Sequence, residues 1–222
     1  MRSGFAPSCW LALVLLPGCR EPGAAANSAP ATVEQADAIR GAMRAYEAAA
    51  LAHRGAEASS LVTKHTLDSY ERVRQLALHA DRAELRAVGL MDRIRALGMR
   101  ARYSTAELQG MVNGSFARFV DDGMVNAEDL AGWSFGAIDV EGDRALATHI
   151  SKRHGKGPRW TFHLQDGRWR IDLESMTTVA ASAYEAVLLR NGRPLDETIV
   201  ALIGDMVGRQ LDESIWTPPL RR

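Results

Sequence analysis

The chain has 222 residues, with 27 basic and 27 acidic side chains, 46% hydrophobic residues and two cysteines. That length and apolar content suffice for one ordinary core and at most a second small one, while zero formal net charge argues against a nucleic-acid binder, which needs a basic face for phosphates. Two thiols cannot build a disulfide framework or a four-thiolate metal site. Of the basic residues only Lys64, Lys152 and Lys156 are lysine. The rest are arginines among many alanines, which reads as compositional bias and gives the arginines no functional weight as a class.

Arg2 precedes an apolar run over residues 9–16, closed by Pro17 and Gly18. A charged start followed by a short apolar run has the order of an export signal, and the run falls well short of the roughly 20 residues of a spanning helix. Leu16-Pro17-Gly18-Cys19 then resembles the lipobox of bacterial lipoproteins. The resemblance implies removal of residues 1–18, diacylglycerylation of the Cys19 sulfur, and acylation of the new amino terminus by palmitate-like chains. Several chains are needed for stable attachment, because one contributes only about 0.8 kcal/mol per buried methylene and binds marginally. Arg20 stands where inner-membrane retention often uses Asp, so the implied address is the outer membrane, facing the periplasm or cell surface. Cys9 leaves with the signal and Cys19 becomes a thioether, so the mature chain is expected to hold no free thiol and no cysteine nucleophile.

Residues 19–31 are poor in large apolar groups and broken by Pro22, Gly23 and Pro30, which predicts a flexible tether after the lipidated Cys19. A single α+β domain is expected over 32–222, with helices over 32–121, strands over 133–174 and C-terminal helices over 178–211. Thr32 with Gln35 forms a capping box, followed by Ala36, Ile39, Met43, Tyr46, Ala50 and His53 at helical spacing, and Gly55 reads as a stop. Leu67, Tyr70, Val73 and Ala77 continue the period after Thr66. Asp81 with Glu84, and Ser104 with Glu107, open further helices, and Gly123 ends the last.

The period then changes to two, and residues 135–140, 145–152, 159–165 and 168–173 read as a four-stranded antiparallel meander. Asp166-Gly167 suits a two-residue hairpin with positive φ at both positions. Placing Gln165 opposite Arg168 sets Leu164 against Trp169, Phe162 against Ile171 and Trp160 against Leu173 on one apolar face. Thr161 with Asp172 and His163 with Arg170 then occupy a polar face, where Asp172 reads as a cross-strand partner. The apolar face, with Tyr46 from the first helix, is the predicted core or pocket wall, and the preceding helices are its expected cover. Helices follow over 178–189 and after Pro194, and Trp216-Thr-Pro-Pro-Leu reads as an extended strap with Trp216 as a plug.

The long amphipathic helix, shorter helices and a meander closing on Gly-Asp-Arg-Ala-Leu-Ala (142–147) and Asp-Gly-Arg-Trp-Arg-Ile-Asp-Leu (166–173) resemble the nuclear-transport-factor-like cone fold, which includes the ketosteroid isomerases. The resemblance spans roughly residues 32–175 and departs from the family in a large helical insert over about 66–120 and in a helical C-terminus. Members of that superfamily include enzymes and binders, so the resemblance does not choose between them.

The sequence carries no Gly-x-Ser-x-Gly elbow, phosphate loop, dinucleotide fingerprint or His-Glu-x-x-His, and no cofactor is expected. Gly155-Lys156-Gly157 runs into Pro158 and a strand and reads as a hairpin loop. His149 and His154 differ by five positions, so regular strands aim them at opposite faces and no metal site is expected. An acid–base site of the isomerase type would need Asp139 and His149 to face inward with Tyr46 or Tyr103 as donor, and one of two registers for the 135–152 hairpin permits that. The expected function is that of a membrane-tethered, non-catalytic module for an envelope protein or a small apolar ligand. The alternative is a small cone-fold enzyme using acid–base chemistry in an apolar pocket.

Overall fold

The computed structural model describes residues 29–124, 134–151, 155–190 and 192–221. The expected signal, Cys19 and most of the expected tether lie outside the described residues. The architecture is α+β, with helices and one five-stranded antiparallel sheet of order β1-β2-β3-β4-β5. The chain clusters into two compact units, one of them holding residues 70–113 and 181–221 and the other 29–69 and 114–180 within the described stretches.

The sheet belongs to the second unit. It consists of β1 (Ala29–Pro30), β2 (Ser134–Glu141), β3 (Arg144–Ser151), β4 (Gly155–Gln165) and β5 (Arg168–Asp172). The hairpin register expected between β4 and β5 is the observed one, with Phe162 opposite Ile171 and Leu164 opposite Trp169. Its turn has φ of 52° at Asp166 and 72° at Gly167, the left-handed pair that this tight connection needs. The expected count of four strands is corrected by β1. Ala29 and Pro30 pair with Val140 and Asp139, and the Ala31 N–H donates to the Ile138 carbonyl at 2.9 Å. The end of the expected tether is therefore an edge strand, a position that tolerates proline because its missing N–H is not required for a second neighbour.

Helix α1 (Val33–Leu51) starts at the expected capping box and lies against β5 and β2, burying Ile39, Met43 and Tyr46. It ends where His53 takes φ 53°, and Gly55 opens α2 (Gly55–Leu61) where a stop was expected. Glycine is required there, since a Cβ would fall 2.0 Å from the Ala117 carbonyl oxygen of α7 (Ser115–Asp121), while the Gly55 N–H donates to Asp121 Oδ1 at 2.6 Å. After α2, Val62 forms a parallel bridge to Ile171 and covers part of the β5 edge. Helix α3 (Lys64–His79) is capped by Thr63, whose Oγ1 accepts the Thr66 N–H at 3.2 Å, so the helix opens before Thr66, after which its period was expected.

The other unit joins the helical insert to the C-terminus, the two departures from the cone-fold resemblance. It contains α4 (Arg82–Ala87), α5 (Leu90–Arg102), α6 (Thr105–Gly110), α9 (Leu195–Val207) and two 3-10 turns, Glu213–Trp216 and Pro219–Arg221. Helix α8 (Glu174–Leu189) contributes to both units and starts four residues before the expected position. α5 packs on α9 and on the first 3-10 turn, where an extended strap was expected, and Trp216 is buried there.

Arginines hold this unit together. Arg100 donates to five backbone carbonyls, those of Leu76, Ala77, Ala80, Ile215 and Trp216. It thus closes the C-terminal end of α3, whose last carbonyls have no partner in the helix, and fastens the first 3-10 turn to them. Arg93 donates to the Leu85 and Arg86 carbonyls at 2.9 and 2.8 Å, ending α4 in the same way. Asp196, in the first turn of α9, takes hydrogen bonds from Arg82 and Arg86 and has Arg93 Nη1 at 3.6 Å. Burial pushes the Asp196 carboxyl up, but hydrogen bonds from Arg86 and Arg82 outweigh it and hold the group below the ordinary carboxylate value. The arginines that composition set aside are structural here.

Candidate functional site

A cluster of ionisable side chains forms where β5 ends. The Leu173 N–H donates to Thr66 Oγ1 at 3.0 Å, and Thr66 is itself held by the Thr63 cap, so the first turn of α3 is fixed against the strand end. His65, the residue between these two threonines and next to Thr66, is thereby set beside Asp172. Its Nδ1 lies 3.3 Å from both carboxylate oxygens. His163 reaches from β4 with Nε2 4.0 Å from Asp172 Oδ2, and its own strand neighbours in register are Arg144 and Arg170.

Asp172 is buried, and the Glu174 N–H at the start of α8 donates to its Oδ1 at 3.1 Å. The Ser175 hydroxyl donates to the Asp172 carbonyl at 2.6 Å. The aspartate therefore caps a helix and faces two histidines at once. A carboxylate in this position favours the imidazole tautomer with the proton on Nδ1, which turns the His65 Nε2 lone pair outward. The His65 side chain is 64% exposed, so its ring is open to a solute.

The sequence-predicted polar groups lie elsewhere. Asp139 pairs with Arg159, which also donates to the Leu146 carbonyl at 3.3 Å. His149 is buried opposite Phe135, whose ring sits 6.4 Å from Trp160 and 5.5 Å from Phe162. Irregular registers between Phe135 and Ile138, and between Thr148 and Ile150, break the alternation between the two positions. Asp139 is thus engaged in an ion pair while His149 packs over Gly157, where a Cβ would stand 2.5 Å from its Nδ1. Tyr46, Trp160, Phe162, Trp169 and Ile171 are buried, whereas Leu164 is 39% exposed at the hairpin end.

Sequence reasoning placed Asp172 and His163 on one face but missed His65, which is 107 residues from Asp172. The spacing Thr63-x-x-Thr66 was the available signal, since it marks a cap whose hydroxyls need partners. Among the described residues, no group of three or more His, Cys, Asp or Glu is placed to hold a metal ion. Also among them, no helix is long and apolar enough to cross a membrane. No family model, curated protein or solved structure matches the chain.

Proposed function

We propose that the chain is a cell-envelope lipoprotein, attached through acylated Cys19 to the outer membrane, whose folded part is a non-catalytic module binding an envelope protein or a small apolar ligand. The observation that carries this reading is Leu16-Pro17-Gly18-Cys19 directly after a short apolar run with Arg2 before it. The cone-like arrangement remains part of the proposal, supported by α1 laid across a meander sheet. The binding role is supported by the commitments of the acidic groups. Asp139 is in an ion pair, and Asp196 is engaged by arginines. Cys19→Ser in the full chain is the test. It should abolish incorporation of labelled palmitate and move the protein from the membrane to the soluble fraction, and a variant that keeps both its label and its membrane location refutes the reading.

One observation favours acid–base catalysis as a second reading, namely the exposed His65 braced by Asp172. Turnover of an enolisable ketone or a simple ester that is lost in His65→Gln and in Asp172→Asn, with folding intact by circular dichroism, would replace the binding role by an enzymatic one.

A further inference from the structure

The edge strand β1 fixes where the N-terminal segment leaves the sheet. β1 runs antiparallel to β2, with Ala29 opposite Val140 and Pro30 opposite Asp139. Its N-terminal side therefore points towards the end of β2 where Glu141 precedes the Gly142-Asp143 turn. Two further reversals in the meander bring the Asp166-Gly167 turn to the same end, and the Leu164 N–H donates to the Asp143 carbonyl at 2.7 Å. Ala29 thus stands at the end of the sheet that carries both hairpin tips, beside the β2–β3 one.

We infer that the lipid anchor holds the sheet with these two hairpin tips towards the bilayer and the Ser134 end of β2 away from it. This rests on the proposed acylation of Cys19 and adds an orientation to it. Ten backbone steps join Cys19 to Ala29. Fully extended they would reach about 34 Å, and as the tether expected from the sequence they would have a root-mean-square reach of only about 17 Å. The eight residues of β2 extend roughly 24 Å. Reaching the far end of the sheet would require a nearly taut tether lying along it, which costs conformational entropy, whereas the tips are within ordinary reach.

The tips carry Glu141, Asp143 and Asp166 with Arg144 and Arg168, a mixture with no cationic excess. They face the lipid surface because the tether places them there, with no need for anionic lipid. Asp172 with His65 then sits about 13 Å behind the tips, four residues along β5 from Arg168.

The expected loss of free thiols on acylation makes the test direct. Asp143→Cys, Arg168→Cys and Ser134→Cys in the full chain are expressed in a bacterial host, purified in detergent, labelled with a donor fluorophore and mixed into phosphatidylethanolamine/phosphatidylglycerol vesicles carrying an acceptor lipid. All three replaced side chains belong to exposed residues. Transfer efficiency from positions 143 and 168 should exceed that from position 134 at least twofold. Equal or reversed efficiencies in protein that floats with the vesicles overturn the orientation while leaving the anchor intact. Protein that fails to float overturns the anchor and the orientation together.

Discussion

At the scale of single residues, two side chains show how charge is used in the helical unit. Arg100 is buried, and its guanidinium meets five carbonyls from two separate segments. Arg100→Met keeps much of the volume but withdraws a donor from each of those carbonyls, Leu76 alone keeping the Ala80 N–H among the bonds described, and each loss that goes uncompensated in a buried setting costs about 1–3 kcal/mol. Some carbonyls regain water, so a net destabilisation of roughly 3–5 kcal/mol is expected, read as a lower urea midpoint. Arg100→Lys should recover little, because one ammonium has three donors and no planar fork. Asp196 makes a pH-dependent contribution. Its folded value lies below its unfolded one, so the stabilisation is complete above the ordinary carboxylate value of about 3.9 and is lost as pH falls through the folded value. Asp196→Asn should cost roughly 1–3 kcal/mol at pH 7, a range kept low because Arg82 and Arg86 are partly exposed. The variant's stability should also depend less on pH below 4, and an acid limb identical to the parent's would contradict the assignment. Neither role was legible beforehand, since a buried arginine and a surface arginine look alike in a sequence.

Among the elements, the β4–β5 hairpin was the most legible. Alternation of apolar and polar residues chooses the face, and Asp166-Gly167 supplies the only short turn compatible with it, so two independent local signals agree on one register. Gly167→Ala tests the turn. With φ at 72°, a Cβ should cost about 1–2 kcal/mol, visible as a lower thermal midpoint, and no change would mean that the turn can relax to another type. By contrast β1 gave no periodic signal, because two residues cannot show a period and one of them is proline. The hairpin of β2 and β3 was ambiguous for a related reason. Its irregular registers shift the alternation, and such a bulge is chosen by what lies across the strands rather than by the strand's own residues. Gly55 was misread as a helix stop because its purpose is a close approach to Ala117, a contact made across 62 positions of chain.

For the whole molecule, the decisive feature is that the insert and the C-terminus cluster in one unit. Truncation after Arg193 deletes α9 and both 3-10 turns, taking Asp196 from Arg82, Arg86 and Arg93, and two carbonyl acceptors from Arg100. Tryptic cleavage within residues 82–102 should then accelerate by at least about tenfold, as local opening replaces protected helix. A digestion pattern unchanged from the full chain would show that α4 and α5 stand without α9. Local spacing in the sequence determined the helix caps at Thr32, Asp81 and Ser104, the apolar face of the β4–β5 hairpin and the mixed α+β class, because capping, periodicity and turn chemistry act within a few residues. Only the tertiary structure decided that His65 meets Asp172, that Asp139 is taken by Arg159, that β1 completes the sheet and that arginines close the helical unit. Each of those contacts joins residues distant in the chain, and long-range pairing is selected by the packing of whole elements, which no local pattern encodes.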